Sequence, residues 1–186
     1  MAIAAIGLAM AGCQASSDTA PADAAAEPAG LSKLDYSLGG VVHHDDGARV
    51  EVRLDAAWRD DSVLVIRGVF TPDDQGYHLY GADLPREGVS GIGRPTLLEV
   101  DDAEDYAAAS SVISDKTAKT HVDETLGISV PLFPDGPVTL YLPVEFASPP
   151  TEPVAIPVKL TYMACSDQRC HMPVVDAEQT LTVDPQ

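Results

Sequence analysis

At 186 residues, with 45% hydrophobic and 5% aromatic content, the chain has room for one packed domain plus appendages. Its formal charge of −18, from 11 basic and 29 acidic side chains, argues against nucleic-acid binding, since nothing here could neutralise a phosphate backbone. The same charge disfavours adsorption to anionic lipid by electrostatics alone.

From the N-terminus, Ala2 to Gly12 is apolar, small and too short to span a bilayer as a helix, and Cys13 follows at once. The stretch Leu8-Ala-Met-Ala-Gly-Cys13 resembles a bacterial lipobox, in which the signal peptide is cut before a cysteine that receives lipid. That reading makes residues 1–12 a signal peptide, Cys13 the lipidated residue and the product a periplasm-facing envelope lipoprotein, the alternative being an ordinary secretory segment with an incidental cysteine. Gln14 in place of Asp after Cys13 favours the outer membrane over the inner. Residues 13–32, rich in Ala, Pro, Ser, Asp and Glu without apolar period, are expected to be a flexible tether. The folded domain is expected over 33–186.

Scarce aromatics place the core on Val, Leu, Ile and Ala, while 15 prolines and 14 glycines between short apolar runs favour short strands over helices. His43-His44-Asp45-Asp46 has ligand-type residues, but neighbours on an extended chain point apart, and it reads as a turn. Val50, Val52 and Leu54 alternate with Glu51, Arg53 and Asp55, which predicts a half-buried strand. Trp58 to Asp61 reads as a turn, and Ser62 to Phe70 as a more deeply buried strand. After a break at Pro72 to Gly76, Tyr77-His-Leu-Tyr80 opens a third strand, whose alternating aromatics divide between core and rim. Gly81 to Pro95 is a loop, Thr96 to Val100 a short strand and Asp101 to Asp105 an acidic turn. Tyr106 to Ile113 fits strand or short helix. Asp115 to Glu124 is polar, Leu126 to Leu132 alternates again, and Val138 to Phe146 is strand-like throughout. Val154 to Ala164 is the strand that delivers Cys165, and Gln179 to Val183 closes the domain. No repeat, P-loop, dinucleotide fingerprint or nucleophile elbow occurs. About eight short strands with regular turns predict an all-β, immunoglobulin-like β-sandwich.

The chemistry converges on Tyr162-Met-Ala-Cys165-Ser-Asp-Gln-Arg-Cys170-His-Met-Pro173, which holds two of the three cysteines with four residues between them. Alternating runs on both sides predict two antiparallel strands with one cysteine at each end of a tight connection. Facing hairpin ends bring the Cα atoms within the roughly 7 Å that a disulfide requires. A ring this small removes little unfolded-chain entropy. Arg169 and His171 flank Cys170 and could support its thiolate, with Asp167 opposing them, so Cys170 is the better candidate for the exchanging sulfur. On spacing alone, an exchanging pair and a structural staple in an assembly module are equally consistent.

Leu160-Thr-Tyr-Met-Ala-Cys165 through Cys170-His-Met-Pro173 resembles the active-site strand and loop of the N-terminal domain of the DsbD family, the thiol:disulfide interchange proteins. Gly76-Tyr-His-Leu-Tyr80, followed by a Gly-rich loop to Pro95, resembles the same family's Gly-aromatic strand. The likeness runs from Leu34 to Val183, with the cysteine segment as its specific part. It implies an immunoglobulin-like fold and a protein-disulfide reductase-like activity. Reducing equivalents would pass between envelope proteins through Cys165 and Cys170, with Cys170 forming the mixed disulfide. The residues beside the pair that we single out as supporting are Tyr162, Asp167, Arg169 and His171. No cofactor is implied. The partners implied are thioredoxin-like proteins or a membrane electron donor, separate from this chain. Two departures stand out. The aromatic cap that shields the cysteines in better-known members has no counterpart in Ser114 to Leu132, where His121 could lie near the site but reads more readily as a solvated loop histidine. The family's transmembrane and thioredoxin-like domains have no counterpart either. The rival from another class is a Cu(I) carrier or sensor using Met163, Cys165, Cys170, His171 and Met172. Against it, methionines more often fill gaps in a core.

Overall fold

The alternation that begins at Val50 forms a strand because each second residue can be buried while its neighbours stay wet. The computed structural model describes residues 30–124 and 126–186. The proposed signal peptide and Cys13 therefore lie outside the described residues, as does the tether as far as residue 29. A single 3-10 turn, Leu31–Lys33, is followed by β1 (Leu38–Asp45), β2 (Val50–Asp60), β3 (Val63–Pro72), β4 (His78–Leu79), β5 (Leu97–Glu99), β6 (Tyr106–Ala108) and β7 (Ile113–Ser114). Then come β8 (Lys119–Asp123), β9 (Ile128–Leu132), β10 (Val138–Phe146), β11 (Val154–Tyr162), β12 (Ala164–Cys165) and β13 (Val174–Val183).

The fold is an immunoglobulin-like β-sandwich. One sheet runs β1-β2-β3-β10-β6, with β7 also on β10, and the other runs β13-β11-β5. Val52, Leu54, Ile66, Phe70, Leu140 and Leu142 from the first meet Leu98, Ile156, Leu160, Tyr162 and Leu181 from the second in one core. Each such side chain contributes about 1.5–3 kcal/mol of burial, and together they hold the two sheets against each other. β3 reads as a continuous apolar run because its outer face is covered as well: Val65 lies under Leu31 and Tyr141. Packing thus reaches back to Leu31, whose carbonyl accepts from the Tyr36 hydroxyl at 2.8 Å. On the same outer face, Arg67 is bidentate on Asp55 at 2.7 and 2.6 Å, and its guanidinium lies 4.1 Å over the Tyr36 ring.

The structure corrects four local expectations. His43 and His44 are not in a turn but in β1, paired with Val52 and Glu51, and the turn begins beyond Asp45. β1 is hard to read because Gly39 and Gly40 break its register, and its exposed Val42 spoils the alternation. Trp58 likewise belongs to β2, where a bulge between Trp58 and Asp60 mimics a turn. The polar run before residue 124 contains β8, a strand with no buried side. The closing strand starts at Val174, five residues before the expected Gln179. Tyr106 to Ile113, open between strand and helix, resolves into the edge strands β6 and β7, which take β10 as partner in place of each other.

Candidate functional site

β11 and β13 pair continuously from Val154↔Val183 to Leu160↔Ala177, and again at Tyr162↔Val174. The cysteine segment is an excursion beyond that last rung. Ala164 and Cys165 leave the β11 ladder and pair with Leu79 and His78 of β4. The chain then turns back so that Cys170 faces Cys165 as an antiparallel bridge. Ser166 and Arg169 close the turn through a backbone hydrogen bond of 2.8 Å, and His171 N–H donates to the Ala164 carbonyl at 2.9 Å. Cys165 and Cys170 form a disulfide with Cα atoms 4.0 Å apart.

The two sulfurs differ in access. Cys165 is 2% exposed and packs with Tyr80, Leu84 and Val130, whereas Cys170 is exposed. The Tyr80 hydroxyl donates to Cys165 Sγ at 3.2 Å in a buried setting, and burial raises the phenol above its usual pKa, so the proton stays available for donation. Tyr80 itself is fixed by its backbone. Its carbonyl accepts from Thr96 N–H and Oγ1–H, the latter at 2.7 Å. The ring leaves no space at Gly93, where a Cβ would stand 2.7 Å from Cε1 on a backbone with φ of +80°. Only glycine fits there.

The sequence-predicted residues fall into two groups. Arg169 and His171 are anchored on Tyr77. Arg169 Nε–H donates to the Tyr77 hydroxyl at 2.5 Å, and the His171 ring stacks on Tyr77 with centroids 4.4 Å apart. Asp74 meets His171 Nε2 at 3.3 Å and Arg49 Nε at 3.0 Å. This clamp ties the second half of the cysteine loop to the turn after β3, so both neighbours of Cys170 are held in place. Asp167 sits exposed at the loop tip. Tyr162 lies in the core, edge-on to Phe70 at 5.7 Å and to His43 at 6.3 Å. Its hydroxyl has no hydrogen-bond partner among the described residues.

Beside the disulfide opens a cleft of about 570 Å³, walled by His78, Tyr80 and the loop on one side and by β8 and β9 on the other. β8 and β9 form a hairpin whose base is bridged through Leu132 to Tyr80, the residue after β4. His121 of β8 lines the cleft, the less favoured of the two places that the sequence offered it. Sequence reasoning left His78 and Tyr80 as surface or core aromatics. Their i, i+2 spacing two residues after Gly76 was the available signal, but pairing with Cys165 is a long-range event that spacing does not encode. Met163 packs in the small cluster of Tyr80, Leu84 and Cys165, and Met172 is 67% exposed. Among the described residues no group of three or more His, Cys, Asp or Glu converges as metal ligands do.

The arrangement is competent for attack by an outside thiolate on the exposed sulfur, with the buried one as leaving group. No family model and no curated protein matches the chain. Among solved structures it is similar to the reduced N-terminal domain of DsbD from Neisseria meningitidis, with 21% identity, 77% of this chain and 95% of that chain covered, and a TM-score of 0.44. It is also similar to the N-terminal periplasmic domain of ScsB from Proteus mirabilis, with 14% identity, 81% of this chain and 52% of that chain covered, and a TM-score of 0.48.

Proposed function

We propose that this domain is a thiol–disulfide exchange module that passes reducing equivalents between envelope proteins through Cys165 and Cys170. The observation that carries the reading is the asymmetry of the pair: Cys170 is open to a partner, while Cys165 is buried under a hydroxyl that points at its sulfur. A partner thiolate attacks Cys170 Sγ, the S–S bond breaks, and its electron pair goes to Cys165 Sγ, where the Tyr80 O–H stabilises the new thiolate. In the opposite direction Cys170 attacks a partner disulfide and Cys165 resolves the mixed bond. Arg169 and His171, held beside Cys170 by Tyr77 and Asp74, favour its thiolate. Asp167 works against them and limits the activation.

A Cys165–Cys170 disulfide fits an oxidising compartment, in line with an envelope location and with thioredoxin-like or membrane-bound thiol partners. No helix among the described residues is long and apolar enough to cross a membrane. Acylation at Cys13 is the anchor we propose, with the outer membrane favoured, and mass spectrometry of the N-terminal peptide from envelope fractions tests it.

The deciding experiment is the reduction potential of the pair, read by thiol-alkylation mass shift across glutathione buffers. Exchange requires a value within roughly −120 to −270 mV. A value below about −300 mV marks a structural staple and overturns the reading. With the potential in range, a Cys165→Ser variant should accumulate mixed disulfides through Cys170.

A further inference from the structure

A buried thiolate at Cys165 presents a problem that Tyr80 solves only in part. The hydroxyl can share its proton with the sulfur, but it keeps that proton and cannot take another. Resolving a mixed disulfide requires Cys165 to lose a proton inside a pocket that is 2% exposed, where desolvation raises a thiol's pKa. A proton acceptor beside the sulfur removes that obstacle.

We propose that His78 is this acceptor, taking the Cys165 proton when the pair resolves a mixed disulfide and returning it when the pair is reduced. The inference rests on the exchange reading and adds a residue to it. His78 and Cys165 are direct partners in the antiparallel ladder of β4 and β12, so their side chains share one face with Cβ atoms about 4.5–5.5 Å apart. Both line the cleft beside the disulfide. The His78 ring meets the Tyr80 ring edge-on at 5.7 Å, which places it on the side of the strand from which Tyr80 reaches Cys165. The His78 ring makes no hydrogen bond to another described residue, its ring contact being with Tyr80, so neither ring nitrogen is committed elsewhere.

Its surroundings keep it neutral and ready to accept. Burial lowers the imidazole pKa, and His121 lowers it further, while Asp135 and Asp167 act in the opposite sense. The charged groups facing the cleft are His121, Asp123 and Glu124 from the β8–β9 hairpin and Asp167 and Arg169 from the cysteine loop. The carboxylates among them favour the imidazolium once the proton has moved, so the thiolate and imidazolium form together. In the resolving step the Cys165 S–H bond breaks and its proton goes to His78. The sulfur's electron pair then forms the bond to Cys170 Sγ, and the partner sulfur leaves as thiolate with the pair from the broken mixed disulfide. The domain is oxidised and the partner reduced. In the reverse step Cys165 leaves Cys170 with the electron pair and takes the proton back from His78.

The test uses the full chain carrying Cys13→Ala, so that only the pair reports, fully reduced and mixed with Ellman's reagent in a stopped-flow instrument. The first equivalent of chromophore comes from attack by Cys170 and depends on reagent concentration. The second comes from resolution by Cys165 and does not. Variants His78→Gln and His78→Phe should leave the first phase unchanged and slow the second at least about tenfold near pH 7. The rise of the second phase with pH should move to higher pH in both. His78→Phe preserves ring bulk against Tyr80, so a purely structural role predicts a normal second phase for it. A second phase with unchanged rate and unchanged pH profile in either folded variant overturns the proposal. If the unsubstituted pair gives no second equivalent at all, the exchange reading fails, and this inference with it.

Discussion

Tyr80 shows how much a single hydroxyl contributes here. A hydrogen bond to a charged acceptor is worth about 1.5–3 kcal/mol, against about 1 kcal/mol for a neutral one, so the bond to Cys165 Sγ at 3.2 Å favours the reduced, ionised form. Tyr80→Phe should raise the Cys165 thiol pKa by about one unit, read from thiolate absorbance against pH in a Cys170→Ala background. A second residue-scale effect concerns pH. Hydrogen bonding to Asp73 at 3.0 Å raises the His44 pKa above its ordinary value, with smaller contributions from the Asp73, Asp46 and Glu51 charges. A group with a raised folded pKa contributes stability that is complete below the unfolded value near 6.5 and disappears as pH rises through the folded value. Urea midpoints should therefore show a small loss on raising the pH above about 6.5 that is absent in Asp73→Asn. The effect is small because the His44 side chain is 37% exposed and solvent-screened. Cys165, Cys170 and the flanking charges were legible in sequence because chemistry is written in residue type and spacing. Tyr80 and His78 were not, because an aromatic that packs and one that serves a sulfur look alike until a distant strand is set beside them.

At the level of elements, the two sheets are joined at one edge by a close approach of β1 to β13. Gly39 there has φ of +85°, and a Cβ on it would stand 2.2 Å from Leu181 Cδ1. Gly39→Ala should cost about 2–4 kcal/mol through overpacking and backbone strain together, measured as a fall in the urea midpoint. Adding Leu181→Ala should recover part of that loss, because the clash disappears while the strain persists. A double-mutant cycle would then give a coupling well above the additive limit of about 0.5 kcal/mol. β2, with one wet and one buried face, was readable from its period, and β3 and β10, covered on both faces, from their continuous apolar runs. β1 and β8 were missed for different reasons. β1 has its register interrupted by two glycines, and β8 projects from the core with both faces largely exposed. An element that buries no side of itself leaves no hydrophobic period to read.

Across the whole molecule, the charge of −18 surrounds an exchange site that has further carboxylates, Asp123, Glu124 and Asp167, along its cleft. Electrostatic steering then favours cationic disulfides. The reduced pair should react faster with cystamine than with glutathione disulfide at low salt, by about tenfold or more. That ratio should shrink toward the intrinsic one above 0.5 M salt, where screening confines charge effects to a few ångströms. The immunoglobulin-like class was legible from the many short runs between Gly and Pro. The cleft was not, because it arises where the hairpin of β8 and β9 meets β4, and no segment of the chain carries it alone. The cysteine loop, finally, begins and ends beyond a rung at Tyr162↔Val174 that the ladder of β11 and β13 makes without it. It is therefore a replaceable cassette. Descendants of this chain can change the number and kind of residues between the cysteines, and so retune redox poise and partner choice, while the ladder of β11 and β13 beneath keeps its register.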